Sequence, residues 1–357
     1  MERTIYREIP ASRPVIQLAV LLGGFIAAAA GAVLYIEHNG HIVTGMNNQI
    51  VWGLPHVFAI FLIVAASGAL NVASIASVFG KTPYKPMARL SALLALSLLA
   101  GGLAVLVLDL GRPDRLIVAM TEYNFSSIFA WNIYLYTGFF AVVGVYLFLQ
   151  MGRNTPYSIV RTAGTVAFLW RLALTTGTGS IFGWLVARSA YDAAIMAPLF
   201  IVMSFAFGLA VFILVVTGMC RLTGRPFGKS LLNRLGRLLG IFVALVLYFT
   251  GVQHLTNLYA AEHGGIEWFI LRDGGIYTQL FWFGQVLIGG IIPLVLVFHP
   301  TGGVKPVSTI LASILVILGG LAQLYVIVIG GQAFPLDIFL GFQASSSFMD
   351  GQVNAYS

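Results

Sequence analysis

Nine apolar runs, each long enough to cross a bilayer, constrain this chain more than any motif in it. They lie near 14–36, 53–79, 88–109, 128–151, 160–183, 194–219, 235–260, 276–298 and 307–330. A hydrocarbon core about 30 Å thick takes about 20 apolar residues in a helix. Inside lipid every backbone N–H and C=O must be paired within the protein, so these runs are predicted to be helices. The expected fold class is all-α: a polytopic transmembrane helical bundle of about nine helices. Spans two to five and six to nine would make two four-helix bundles, with span one peripheral. Residues 1–330 are expected to form one integral membrane domain. Residues 331–357 are expected to form a periplasmic tail in which Phe334, Phe339 and Phe342 look interfacial. The first run is too long for a signal-peptide core and lacks a clear small-residue cleavage site, so it reads as a retained span.

Composition agrees. Hydrophobic residues make up 59% of the 357 and charged residues only 9%, against about 25% in soluble domains. The net charge of +7 does not point to nucleic acid, because the basic residues are sorted by connection. Arg3, Arg7 and Arg13 precede span one, and Lys81, Lys85 and Arg89 flank the second connection. Arg153 and Arg161 flank the fourth, Arg221, Arg225, Lys229, Arg234 and Arg237 fill the sixth, and Lys305 lies in the eighth. The odd-numbered connections and the tail carry most of the acids: Glu37, Asp114, Glu122, Asp192, Glu262, Glu267, Asp273, Asp337 and Asp350. The positive-inside rule then puts the N-terminus in the cytoplasm and the long acidic loops outside. A single cysteine, Cys220, excludes a disulfide framework and a cysteine-ligated cluster.

Polar residues at membrane depth are the candidate functional groups, because such placement is costly and normally faces a protein interior or wet cavity. The run ending at Leu108 stops in Asp109, Gly111, Arg112 and Pro113. Arg171 falls near the middle of span five, with Thr175 and Thr178 on the same helical face. The structural alternative is that Arg171 snorkels to the surface. Span seven carries a stripe of Thr250, Gln253, His254 and Asn257, which reads either as a wet face or as interhelical hydrogen bonding. His56 opens span two after Trp52-Gly-Leu-Pro55, and Ser67 and Asn71 continue its face inward. Asn132 and Tyr136 pair at i, i+4 in span four, after Asn124-Phe-Ser-Ser127. Tyr277, Phe281 and Gln285 share a face of span eight. Trp52, Trp131, Trp184, Trp268 and Trp282 read as an aromatic belt.

No phosphate-binding loop, HExxH or supported GxSxG is present, so hydrolysis and ATP-driven transport lack a motif. A b-type haem would need facing axial ligands, and His56 and His254 are each the lone candidate on their helix. Channel-type charged rings are missing as well. Two classes survive: a quinone-reactive electron-transfer subunit without a redox metal, and a proton-coupled secondary transporter using Asp109, Arg171 and His254.

Several stretches resemble the NrfD/polysulfide-reductase membrane-subunit family. They are Gly45-Met-Asn-Asn-Gln-Ile-Val-Trp-Gly-Leu54, Leu108-Asp-Leu-Gly-Arg-Pro113, Asn124-Phe-Ser-Ser127, Ala197-Pro-Leu-Phe200 and Phe281-Trp-Phe-Gly-Gln-Val-Leu-Ile-Gly-Gly-Ile-Ile-Pro293. The resemblance covers about Gly45 to Pro300. Tyr6-Arg-Glu-Ile-Pro10, Gly45-Met-Asn-Asn48 and Val353-Asn-Ala-Tyr-Ser357 most resemble the DsrP branch, found in sulfite-reduction-associated complexes, which implies a usual C-terminus beyond Ser357. The resemblance implies a membrane anchor exchanging electrons between menaquinone or ubiquinone and a periplasmic ferredoxin-like iron–sulfur subunit, with no metal or haem bound by this chain. The equivalent subunit of a hydrogenase or another molybdoenzyme complex is the nearby alternative. A Dsr-type assembly would add a multihaem cytochrome c, a haem-b membrane subunit and a cytoplasmic iron–sulfur subunit.

These readings combine into one expected site, a quinone head-group pocket near the outer ends of spans two to five. Histidine titrates near neutral pH, so His56 is the first proton donor. Asp109 is the proton acceptor or the partner that orients His56, held ionised by Arg112; the structural alternative is that the two pair only to anchor the loop. Asn124, Asn132 and Tyr136 are further head-group contacts. Some family members carry His near Thr178, so any donor role there passes to Thr178 or another group. Some carry an acid where Gln285 stands, which argues against a proton role there. Asn71, Arg171, His254 and Asn257 are expected to extend a proton route inward.

Overall fold

A computed structural model describes residues 11–47, 49–108, 110, 112–152, 154–298 and 306–334, and the backbone of 337–339 and 342–343. The expected spans all form helices. Helix α1 (Arg13–Asn39) carries Pro14 in its first turn, where the fixed φ and missing N–H are tolerated, and buries none of its residues. It packs on the short 3-10 turn His41–Thr44 and stands outside the rest. Span two is α2 (Leu54–Ala69) followed by α3 (Asn71–Ser77). Then come α4 (Ala88–Leu108), the short α5 (Leu116–Thr121), α6 (Ile128–Met151), α7 (Tyr157–Gly183), α8 (Met196–Leu222) and α9 (Lys229–Tyr259). After the short α10 (Gly264–Trp268), span eight runs from α11 (Ile276–Gln279) through a π-helical stretch (Leu280–Ile291) into α12 (Ile292–Phe298). Span nine is α13 (Pro306–Tyr325), a π turn (Val326–Gly330) and α14 (Gly331–Ala333). Two short strands, β1 (Asp337–Phe339) and β2 (Phe342–Gln343), pair antiparallel beyond it.

Eight of these helical segments are long and apolar enough to cross a membrane. Helix α7 matches them in length but carries Arg161, Arg171 and several threonines. It packs on α6 and α8 as an integral member of the bundle. Large apolar side chains on α1, and others such as Phe148, Leu169, Tyr248 and Phe283, face outward. In water such a surface would be a liability; in a bilayer it meets hydrocarbon. The chain is a multi-pass membrane protein.

Helices α2–α3, α4, α6 and α7 pack as one four-helix group, and α8, α9, span eight and α13 as a second, joined where α2 and α7 meet α8. This is the expected division. Glycine sets the closest approach in that joint. A Cβ on Gly68 would lie 1.6 Å from the Ser204 carbonyl oxygen, and one on Gly208 would lie 2.2 Å from the Ala69 nitrogen. Small residues let membrane helices pack backbone to backbone where no hydrophobic force draws them together. One end of the molecule, near Trp52, holds the starts of α2, α6 and α8 and the ends of α7, α9 and span nine. The opposite end is basic: Arg89 Nε donates to Gln150 O at 2.9 Å, and Lys85 sits over the Tyr157 ring at 4.9 Å.

The tail boundary shifts. Gly331 and Gln332 are buried and continue span nine, so the expected division at 330/331 falls inside packed structure. Gln332 explains this. Its Oε1 accepts from the backbone of Val51 and Trp52 at 2.9 and 3.1 Å, while its Nε2 donates to Trp52 O and Val328 O at 3.0 and 2.7 Å. Arg188 reinforces the clamp by donating to Gln332 O at 3.2 Å and Gln49 O at 2.7 Å.

Candidate functional site

Span two breaks at Leu70, which leaves carbonyls of α2 and amides of α3 in need of partners. Neighbouring helices supply them. Ser91 of α4 donates to Ala69 O at 2.6 Å and accepts from Ala73 N at 3.0 Å. Arg171 of α7 donates to Ser67 O at 3.1 Å and to Asn71 Oδ1 at 2.6 Å, while Asn71 Nδ2 donates to Phe205 O at 3.2 Å. The guanidinium lies 4.9 and 5.1 Å from the ring centroids of Phe168 and Phe205. It is 2% exposed, so it does not snorkel. No carboxylate pairs with it among the described residues. The negative end of the α2 dipole and two π faces balance the cation instead. Thr175 and Thr178 share its buried face, as the spacing predicts.

At the Trp52 end of the same bundle, the Trp52 ring collects side chains from three helices and a loop. Its centroid lies 6.1 Å from His56, 6.2 Å from Phe129, 5.9 Å from Phe182 and 6.4 Å from Tyr191. Trp52 is therefore a wall of this site, not a member of the surface belt formed by the exposed Trp131, Trp184, Trp268 and Trp282. About one helical turn inward from Phe129 and Phe182 lie Asn132 and Thr178. Asn132 is buried, and its Nδ2 donates to Ile128 O at 2.9 Å and Gly177 O at 3.0 Å. Its Oδ1 is buried and accepts from no group among the described residues. Tyr136, one further turn in, is buried with its hydroxyl within reach of Thr178. His56, Asn132, Tyr136 and Thr178 thus converge on one end of the bundle. Tyr191 closes it from the loop, donating to Val328 O at 2.9 Å, and burial pushes its phenol pKa up.

Other expected members are not part of this group. Asn124 is exposed, and its Oδ1 accepts from Ser126 N at 3.0 Å. It is a turn former, and the expectation that it contacts a head group is corrected on that ground: a short amide caps its own turn more readily than it reaches a distant ligand. Arg112 grips Asp114 at 3.0 and 2.8 Å, with its side chain 64% exposed. The guanidinium hydrogen bond holds the Asp114 carboxyl below its usual pKa. The carboxylate that Arg112 holds ionised is therefore Asp114, two residues on, and Arg112 faces solvent rather than a pocket. Asp109 lies outside the described residues.

The second bundle has a polar interior of its own. Thr250, Gln253 and Asn257 are buried, as the stripe predicts. His254 Nδ1 meets Glu267 Oε2 at 2.6 Å, and Asn257 Nδ2 donates to Glu267 Oε1 at 2.9 Å. Glu267 is 1% exposed. Sequence reasoning counted it as a loop acid, because nothing local shows that α10 tucks back against α9. Thr250 Oγ1 accepts from Gln285 Nε2 at 3.2 Å and Gln323 Nε2 at 3.3 Å. Gln323 was also missed; a lone amide in an otherwise apolar span was the available signal. A cavity of about 20 Å³ is lined by Thr250, Gln253, His254, Gln285 and Gln323, among others. Three π-helical stretches border it: Phe269–Asp273 through Ile270, and the two in spans eight and nine through Gln285, Val326 and Ile327. Wide helical turns of this kind recur at functional sites.

Comparison with known proteins agrees with this architecture. Residues 42–336 match the family description "Polysulphide reductase, NrfD". The chain is 26% identical to the Hdr-like menaquinol oxidoreductase integral membrane subunit of Archaeoglobus fulgidus, over 92% of this chain and 83% of that protein. It is 23% identical to a selenate reductase subunit of Mesobacillus selenatarsenatis, over 87% of this chain and 81% of that one. It is 25% identical to a polysulfide reductase component of Wolinella succinogenes, over 80% of this chain and 96% of that one. With most of its length matched and its helices arranged as two packed bundles, the chain belongs to the NrfD polysulphide reductase family of integral membrane subunits.

Proposed function

We propose that this chain is the quinone-interacting membrane subunit of an oxidoreductase complex, exchanging electrons between quinone or quinol and an iron–sulfur partner at the Trp52 end. The observation that carries this reading is Asn132 Oδ1, a buried acceptor with no partner among the described residues. A buried polar atom left unpaired calls for a ligand or water. The two backbone carbonyls on Nδ2 fix which way the amide faces, so the free atom is the oxygen. It suits a quinol hydroxyl, and the Trp52, Phe129 and Phe182 rings suit a flat head group.

A bound quinol supplies two electrons and two protons. The side chains supply the rest. Asn132 orients the hydroxyl, His56 takes or returns a proton beside the ring, and Tyr136 with Thr178 holds the inner edge. Asp109 stays as the second proton acceptor on sequence grounds, beyond the described residues. Asn71 and Arg171 in the first bundle line the proton route, Arg171 as a fixed charge on it, and His254 and Asn257 in the second extend it. Electrons leave to the partner's cluster. The charge asymmetry of the loops supports a cytoplasmic N-terminus and a periplasmic Trp52 end. The Archaeoglobus relative's name supports menaquinone as the first quinone to try, with ubiquinone second. A DsrP-type setting would add the multihaem cytochrome c, the haem-b membrane subunit and the cytoplasmic iron–sulfur subunit.

The test is quinol oxidation coupled to reduction of the partner cluster in the purified complex. His56→Ala should slow it on the order of 10²-fold, the usual worth of a positioned acid–base group. Asp109→Asn and Asn132→Leu should slow it too. Unchanged rates in all three variants would overturn the pocket. Solute transport by the isolated chain in liposomes, with no partner, would favour the transporter reading instead.

A further inference from the structure

The buried pair in the second bundle does more than hold helices together. Glu267 meets His254 at 2.6 Å and Asn257 at 2.9 Å, and the Phe281 ring stands edge-on to His254 with centroids 4.7 Å apart. The same His254 lines the cavity of about 20 Å³, large enough for one water. On its polar side Thr250 accepts two amide hydrogens and keeps its own hydroxyl hydrogen to donate. Gln285 and Gln323 spend their nitrogens on Thr250, so their oxygens, which take no protein donor among the described residues, are left for the cavity. A second cavity, of about 10 Å³, begins at those same two glutamines and continues between Phe207, Leu247 and Gly320. A metal cation would find the Thr250 oxygen already occupied by amide hydrogens; a water finds both donors and acceptors.

We propose that Glu267 and His254 form a proton-exchange site in the second bundle, which passes protons between the Trp52 end and the membrane interior through a water held by Thr250, Gln285 and Gln323. The site deepens the proton route assigned above and adds Glu267 to it. The step is balanced within the pair. A proton reaching one imidazole nitrogen from the cavity water is matched by one leaving the other nitrogen to Glu267 Oε2. In the reverse direction the carboxyl returns it. The other ionisable groups nearby are turned elsewhere. His263 Nδ1 donates to Ser189 O at 2.7 Å, and its other nitrogen lies 3.8 Å from the exposed Glu262. Arg272 and Asp273 face solvent, 3.8 Å apart, with Arg272 over Trp268. Tyr277 stacks on Tyr325, Tyr191 donates to Val328 O, and Arg188 holds Gln332 and Gln49. Among the described residues His254 is the one basic side chain that reaches the Glu267 carboxylate.

Infrared difference spectroscopy on the full chain in liposomes tests this without quinone or partner. Between about pH 4 and 10, the range in which carboxylates and imidazoles titrate, a buried carboxyl C=O band should rise and fall and shift in D₂O. It should vanish in Glu267→Gln, return displaced in Glu267→Asp, and move its midpoint in His254→Gln, the variant to read if Glu267→Gln does not fold. The paired Gln285→Leu, Gln323→Leu variant should slow hydrogen–deuterium exchange of that band at least tenfold. No titrating band, or a band indifferent to Glu267 and His254, overturns the site. Unchanged exchange in the glutamine variant overturns the route. A wild-type chain that shows the band but whose complex fails to oxidise quinol overturns the quinone reading alone.

Discussion

In the first bundle a buried guanidinium faces carbonyls and aromatic rings; in the second, a buried carboxylate faces an imidazole. Both sit in interiors that are otherwise apolar, yet the chemistry differs in kind. Arginine keeps its proton at any working pH, so Arg171 is a fixed charge. It fastens the break in span two by taking up Ser67 O and Asn71 Oδ1. The His254–Glu267 pair sets an imidazole nitrogen 2.6 Å from a carboxylate oxygen, close enough for a proton to pass between them, beside a cavity that can hold water. One interior is stapled and the other is lubricated. The contrast in backbone matches: span two is interrupted cleanly at Leu70, whereas spans eight and nine widen into π turns around their polar groups.

Substitutions can break or sharpen this contrast. The largest effect should come where the two bundles touch: Gly68→Ala would place a methyl 1.6 Å from Ser204 O. That forces the bundles apart and costs more than about 3 kcal/mol, beyond ordinary overpacking; loss of the folded band in detergent thermal unfolding would show it. Arg171→Leu comes next, leaving the buried Asn71 Oδ1 without its donor at about 1–3 kcal/mol while Ser67 O keeps the Leu70 N–H, and Arg171→Lys should recover part of the loss. Glu267→Gln should be milder, about 1 kcal/mol, because the amide still accepts from Asn257. Equal destabilisation by Arg171→Leu and Glu267→Gln in the same assay would erase the distinction between a fixed charge and an exchangeable one. Smallest is Asp114→Asn. The exposed ion pair with Arg112 should leave thermal stability unchanged. The Asp114 pKa is depressed, so any contribution is present above its usual value of 3.8 and fades as pH falls through the lower folded value.

The nine spans, the two bundles and the peripheral α1 were legible because hydrophobic runs and helical spacing are local properties. So were the buried faces of Arg171 with Thr178, of Asn132 with Tyr136, and of the Thr250–Asn257 stripe. Glu267 was not, since its burial depends on α10 folding back onto α9 after the short turn Ala261–His263. Asn124 misled for the opposite reason. It stands in a segment that matches the family pattern, but its side chain is consumed within three residues of chain. Trp52 was grouped with surface tryptophans because depth along a span does not reveal which side a ring faces.

Gln332 gives the architecture a consequence in time. Its side chain fixes both backbone hydrogens of Val51 and Trp52 and the Trp52 carbonyl, yet it is made 280 residues after Trp52. Chains are synthesised from the N-terminus, and long-range pairings form late. The aromatic wall of the first bundle therefore stays unfinished on the ribosome until span nine is inserted. A chain cut short before Gln332 would carry the residues around His56 but not the clamp that sets Trp52 over them.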